Sequence, residues 1–282
     1  VAYTAKDAIA DMQEGWNLAD KLFGLLTPQA LADVTLKPIS LRHPYLFYYG
    51  HLSAFAHNQA YVNVILKDKT KSFNPKFDDM FARGIDPNVD NPNDCHPHSE
   101  VLQEDSGWPA VAAVTAYNNR VRKTLADNAA RIMAIDSDTT TGGRILSAAQ
   151  EHDTMHVETM LYMYNNLHHK YKKPLHDTEK NYIFADPKVK KKRIKIPKGT
   201  AYMGASFGTT RFGWDIEFEA NEVEVPAFEI DNLPITIGEY FEFVDCGEYD
   251  NAKHWDTAYF AWKTKVGLSH PNSWNFVKSE AD

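Results

Sequence analysis

Four long stretches within the first 171 residues repeat apolar side chains at α-helical spacing, and this periodicity constrains the fold more than any other feature of the chain. In "AKDAIADMQEGWNLADKLFGLL", Ile9, Met12, Trp16, Leu18, Leu22 and Phe23 form a stripe that must be buried. A second helix is predicted from Pro44, a residue suited to a first turn, through "YLFYYGHLSAFAHNQAYVNVIL". A third covers "WPAVAAVTAYNNRVRKTLADNAARIMAI" and a fourth "GGRILSAAQEHDTMHVETMLYMYNNLHHKY". Four amphipathic helices of this length bury their stripes against one another as a bundle.

Between the second and third lies "RGIDPNVDNPNDCHPHSEVLQEDSGWP", whose Asp, Asn, Pro and His content cannot continue a helix and whose length marks a functional, covering loop. The composition changes near residue 185, after which Gly, aromatic and β-branched residues alternate with charges. "EVEVPAFEI" has the alternation of a half-buried strand, and "TIGEYFEFVDCG" reads as a short helix capped by Thr236 and stopped at Gly247. The second part is therefore expected to be β-rich, and the chain α+β. The basic run "KVKKKRIK" reads as a solvated linker or strand edge.

A formal net charge of −8 and a pI near 5.8 disfavour nucleic acid as the main partner, because phosphate binding relies on a Lys/Arg excess. No apolar run approaches the roughly 20 residues of a membrane helix, and the first residues lack the pattern of a signal peptide, so no membrane role is expected. Cys95 and Cys246 lie far apart and imply no disulfide framework, which suits a reducing cytoplasm.

His152 and His156, in "EHDTMHVETMLYM", are four residues apart and so lie about 40° from each other around the fourth helix. Two ligands of one ion need that placement. Met155, Thr159 and Met163 share their face, so the pair looks into an apolar seam. Glu158 falls about 160° from the bisector of the pair, which excludes it as a third ligand and leaves it as a hydrogen-bond partner behind the ligands or a contact to another element. On the second helix, His51 shares a face with Phe47, Ala54, Phe55, Asn58 and Val62. A buried imidazole without a partner costs roughly 1 to 3 kcal/mol, and coordination through one ring nitrogen removes that penalty. His51, His152 and His156 together would make a three-nitrogen site with open positions; the plainer alternative is three unrelated histidines of core and surface. Three histidines suit zinc as readily as non-haem iron, so the residues leave the metal open.

"LRHPYLFYYGHLSAF", "RGIDPNVDNPNDCHPHSE", "EHDTMHVETMLYM" and "FGWDIEFEANEVEVPAF", in this order, resemble the ergothioneine-pathway sulfoxide synthases, most closely the eukaryotic type. The resemblance spans residues 37–274. It implies a DinB-like four-helix bundle over residues 1–180, and over 181–282 the start of a formylglycine-generating-enzyme-like domain with a C-type-lectin-like fold. It also implies a mononuclear Fe(II) site on His51, His152 and His156. The implied reaction uses O2 to join cysteine or γ-glutamylcysteine to the imidazole of hercynine, giving a sulfoxide. Aromatic faces would suit the quaternary ammonium of hercynine, and "FYY" beside His51 and the "FGW" segment are candidates by composition.

Departures from the family pattern narrow this expectation. Met155 stands where bacterial members carry a glutamine that contacts the hercynine carboxylate, and the bacterial arginines for γ-glutamylcysteine have no matching motif, which favours cysteine. Ovothiol-type and selenoneine-type synthases stay open, as does a binding protein that keeps the fold without the chemistry. Cys95, His96 and His98 are read as part of a loop near the active site rather than as a zinc site. Family members continue past "HPNSWNF" into a part with a catalytic tyrosine, so no catalytic residue is assigned. The aromatic segment ending there, with Trp255, Tyr259, Phe260, Trp262, Trp274 and Phe276, is expected to pack on a second chain or further sequence.

Overall fold

The computed structural model describes residues 3–39, 42–82, 107–135, 144–174, 190–207, 209–271 and 274. The chain divides into two compact units, one of Val1–Asn181 with Tyr202–Asn221 and one of Tyr182–Ala201 with Glu222–Asp282. Helices and short strands together make the chain α+β. The covering loop falls largely outside the described residues, as do Cys95, His96, His98 and Phe276.

In the first unit, α1 (Ala5–Gly24) starts at a reciprocal cap: the Asp7 N–H donates to Thr4 Oγ1 while the Thr4 N–H donates to the Asp7 carboxylate. Met12, Trp16, Leu22 and Phe23 are buried as the stripe predicts. Leu18 is not, at 44% exposure, because two residues beyond Trp16 the helix has turned about 200° away from the core. A short α2 (Pro28–Ala32) follows, and then α3 (Tyr45–Ala56), entered through Pro44 as expected.

Ten of the twelve residues of α3 are buried, so it is the central helix, and His51 is interior by position. The helix continues to Leu66 as predicted, but its second part (His57–Leu66) widens into a π-helix closed by a Lys67 N–H to Val62 carbonyl bond. Hydrophobic periodicity gave no sign of that change. After α4 (Pro75–Met80) come α5 (Val111–Ile135) and α6 (Arg144–Asn165). The last ends before the predicted "HHKY", which forms a separate 3₁₀ turn. Helices α1, α3, α5 and α6 share one core containing Trp16, Phe47, Leu125, Ile132, Leu146 and Met160.

Residues 202–221 group with this unit. Arg144 donates to the Gly213 carbonyl at 2.7 Å and lies over the Phe212 and Phe218 rings, while Arg211 lies over the ring of Tyr3. The "FGW" segment is thus engaged by Arg144.

In the second unit, β1 (Arg193–Ile196) runs antiparallel to β4 (Phe228–Asp231), with Arg193 opposite Asp231 and Ile196 opposite Phe228. A separate pair joins β2 (Gly199–Met203) to β3 (Asn221–Val225). The predicted single strand "EVEVPAFEI" is therefore two strands of different sheets. Pro226 lies at the break, where it has no N–H to give a ladder. Nor is it half-buried: Phe228 and Ile230 are exposed. Helix α7 (Ile237–Asp245) is capped reciprocally by Thr236 and Glu239 and is followed by Gly247 at φ 83°, as read from the sequence. Helix α8 (Thr257–Val266) ends at Gly267, also at positive φ. Strands of four or five residues beside helices of nine and ten make the unit mixed rather than β-rich. The basic run ends in β1, with Lys191 held at the sheet edge by Glu239 and Asp231. No described helix is long and apolar enough to cross a membrane.

Candidate metal centre

The structure brings together the three histidines singled out above. His51 comes from α3, and His152 and His156 come from successive turns of α6; one ring nitrogen of each lies within 4.8 Å of the other two. Their ring centroids are 4.5 to 4.9 Å apart. His51 Nε2 and His156 Nε2 are 3.2 Å apart. Two nitrogens each about 2.1 Å from a shared ion, at tetrahedral or octahedral angles, stand roughly 3.0 to 3.4 Å from one another. The spacing of this pair fits a shared ion.

Protonation supports the same fit. Burial, then the charge of His152, lowers the His51 pKa to about 3, against a small opposing effect of the Phe81 carbonyl. Burial lowers His152 to about 3, and burial followed by His51, His152 and Arg42 lowers His156 to about 2. At neutral pH all three imidazoles are uncharged and present lone pairs.

Each ring is held from behind or beside. His51 Nδ1 donates to the Phe81 carbonyl at 2.6 Å, which fixes the tautomer with a free lone pair on Nε2. Phe81 reaches that position by stacking its ring on Gly50, where a Cβ would stand 2.6 Å from the Phe81 ring. His152 stacks on Phe55 at 3.7 Å, and Thr159 Oγ1 lies 3.5 Å from His156 Nδ1. His152 Nδ1 is buried without a hydrogen bond, 3.7 Å from an Asp153 oxygen that also lacks one. The histidines line a cavity of about 370 Å³ with Arg42, Tyr48, Phe55 and Met155.

A protein of Neurospora crassa named Ergothioneine biosynthesis protein 1 is 32% identical over 257 residues, covering 86% of this chain. The Schizosaccharomyces pombe protein of the same name is 30% identical over 256 residues, or 82% of this chain, and a Hercynine oxygenase of Mycolicibacterium smegmatis is 28% identical over 189, or 67%. Residues 179–278 match the sulfatase-modifying factor enzyme 1-like domain. The chain belongs to the ergothioneine-pathway sulfoxide synthase family. It spans 28% and 32% of the two fungal members and 42% of the bacterial one.

Against the expectations drawn for a sulfoxide synthase of this family, Glu158 is exposed and does not line the cavity. Of "FYY", Phe47 and Tyr48 line it, whereas Tyr49 turns away to Thr115 on α5. Several neighbours were not legible. The Phe81 contact is made by backbone and leaves no trace in residue type. Asp153, whose pKa burial pushes well up, carried a signal only in being a carboxylate beside His152. Arg42 stands three residues before the helix that carries His51, and only the fold shows it facing the same cavity.

Proposed function

We propose that His51, His152 and His156 hold one Fe(II), and that this chain is the metal-bearing part of an O2-dependent enzyme that joins the sulfur of cysteine or γ-glutamylcysteine to the hercynine imidazole. The convergence of three neutral imidazoles from two helices on one cavity carries this reading. Per turnover, a thiol S–H and an imidazole C–H are lost, a C–S bond and an S=O bond form, and O2 supplies the sulfoxide oxygen and the oxygen of one water. Bound ferrous iron supplies O2 activation and coordination positions for thiolate and imidazole.

The residues of the chain position and shield. Phe81 keeps His51 in the tautomer with Nε2 free, Phe55 fixes the plane of His152, and Thr159 flanks His156. Phe47, Phe55 and Met155 wall the cavity with apolar surface, which limits water around the reacting groups. In this proposal residues 1–180 are a DinB-like bundle and 181–282 the start of a formylglycine-generating-enzyme-like domain, acting in the cytoplasm. The exposed apolar side chains of the second unit then pack on the rest of that domain, in the same or a second chain.

Anaerobic loading with Fe(II) followed by metal analysis is the test. One iron per chain is expected, falling below about a tenth in the His152→Ala, His156→Ala double variant, with sulfoxide from cysteine, hercynine and O2 absent in that variant. Full occupancy in the double variant would dismiss the site.

A further inference from the structure

The cavity of the three histidines contains one cation that metal ligation leaves unused. Among the described residues Arg42 is the only Lys or Arg lining it, and no Asp or Glu lines it. Arg42 has no carboxylate within ion-pair distance among those residues. A guanidinium is always charged and offers a fork of N–H donors, so a partly buried one facing a cavity with no acid among its described lining residues is open to a carboxylate from a ligand.

Its place is built rather than incidental. The Arg42 N–H donates to the Ile39 carbonyl at 2.9 Å, and the guanidinium lies 5.3 Å from the Tyr162 ring centroid. Tyr48, whose hydroxyl receives the His43 N–H at 3.4 Å, lines the same cavity. Tyr48 in turn packs its ring 5.7 Å from that of His156. Arg42 is thereby held against Tyr162 of α6, in the lining of the cavity that the histidine cluster shares.

We propose that Arg42 is the carboxylate anchor of this cavity, taking the carboxylate of an amino-acid substrate whose sulfur or imidazole faces the three histidines. The proposal rests on the metal-site reading above. A divalent ion on three neutral imidazoles, with an arginine beside it and apolar walls around it, makes a cavity of strongly positive potential in a medium that screens poorly. Such a cavity favours a ligand that brings an electron-pair donor to the metal and a carboxylate to the guanidinium. A thiolate or a neutral imidazole nitrogen answers the metal, and a carboxylate answers the guanidinium, with planar, two-pronged geometry. The cavity volume of about 370 Å³ lies at the small end for ligand pockets, which suits a ligand of amino-acid size spanning both. Both organic reactants of the proposed reaction carry a carboxylate, so the shared chemistry is named here and the test separates its two sources.

The chain loaded with Co(II) reports ligands through its visible absorption: a thiolate adds a sulfur-to-cobalt band, and an imidazole perturbs the ligand-field bands. One arm titrates cysteine, 3-mercaptopropionate and cysteamine, the last a thiol without a carboxylate. The other compares hercynine with trimethylhistamine, its decarboxylated counterpart. Loss of a charge-assisted hydrogen bond corresponds to about tenfold to hundredfold in affinity, so the carboxylate-bearing probe should be favoured by that factor in at least one arm. Arg42→Met should abolish the preference with cobalt stoichiometry unchanged, and Arg42→Lys should keep part of it. The arm in which the preference collapses identifies the substrate. A preference that survives Arg42→Met, or its absence from both arms in the unaltered chain, overturns the proposal; the second criterion holds even where the variant fails to fold. Failure of the unaltered chain to bind cobalt overturns the metal-site reading itself.

Discussion

The four long helices of the first unit bury most of the large apolar side chains that their sequence pattern marks, Leu18 and Met155 excepted, whereas in the second unit Tyr249 alone among the described apolar residues is buried. Ile230, Ile237, Tyr259 and Trp262 stand more than half exposed. The two units do not differ in supply of apolar residues; they differ in whether four long helices are present to cover one another. Polar groups follow the same division. In the helical unit, Asp78 is completely buried and takes hydrogen bonds from His57, Ser72 and Tyr117. In the second unit, the contacts of Lys191 with Glu239 and of Arg193 with Asp231 lie at the surface. Order in the first unit is enforced by desolvation, and in the second by helix caps and the pairing of strands distant in sequence.

The largest effect that would break this contrast is expected at Asp78. Its removal in Asp78→Ala leaves three buried donors without an acceptor, and the expected loss is about 3 to 5 kcal/mol in denaturant unfolding. Lys191→Ala should leave the same transition unmoved, because that pair is exposed and screened. The pH dependence has a definite sign. Burial acts to raise the Asp78 pKa, but the hydrogen bonds from His57, Ser72 and Tyr117 outweigh it and hold the carboxyl below its ordinary range. The resulting stability is present above the unfolded carboxyl pKa, about 3.9, and is lost as pH falls through the lower native value. Asp78→Asn should therefore flatten the decline of stability below about pH 4, and an undiminished decline would remove Asp78 from its cause.

How much of this was legible followed the range of the interactions. The helices, the Thr236 cap and the stop at Gly247 are local and were readable within a few residues. The His152 and His156 pair was readable because one helix carries both, and His51 because an imidazole stood on an apolar face. The contacts behind the ligands were not. Phe81 meets His51 across 30 residues through a carbonyl, and Asp78 joins His57, Ser72 and Tyr117 from four different segments. The split of β3 from β4 failed for a different reason: alternation specifies a strand but not its partner, and the proline at the break carried the information.

Gly50 offers a sharper, smaller comparison. An added Cβ there would stand 2.6 Å from the Phe81 ring, so Gly50→Ala must move Phe81 and with it the carbonyl that orients His51. A loss of about 1 to 3 kcal/mol is expected from overpacking, together with weaker metal binding. Gly238 in α7 meets nothing closer than 3.9 Å, and Gly238→Ala should stabilise by up to about 1 kcal/mol through helix propensity. Calorimetry of both, with metal titration of the first, decides the matter. Wild-type metal affinity in Gly50→Ala would show that the Phe81 contact does not govern the site.

The smallest expected effect is the most telling for the second unit. Trp262 is 54% exposed and Ile237 71%, so in this chain Trp262→Ser and Ile237→Ser remove little buried surface and should each change stability by less than about 0.5 kcal/mol. The same substitutions in a chain extended to the length of the fungal relatives should cost about 1.5 to 3 kcal/mol, the range for burying a large apolar side chain, if further protein covers those faces. Thermal unfolding of both lengths measures the difference directly. A loss beyond about 2 kcal/mol in the 282-residue chain would show that these side chains are already buried in it, and the contrast between the units would fall. Equal, negligible losses at both lengths would leave the faces open to solvent in the longer protein as well, and would assign the apolar surface of α7 and α8 to something other than completion of the domain.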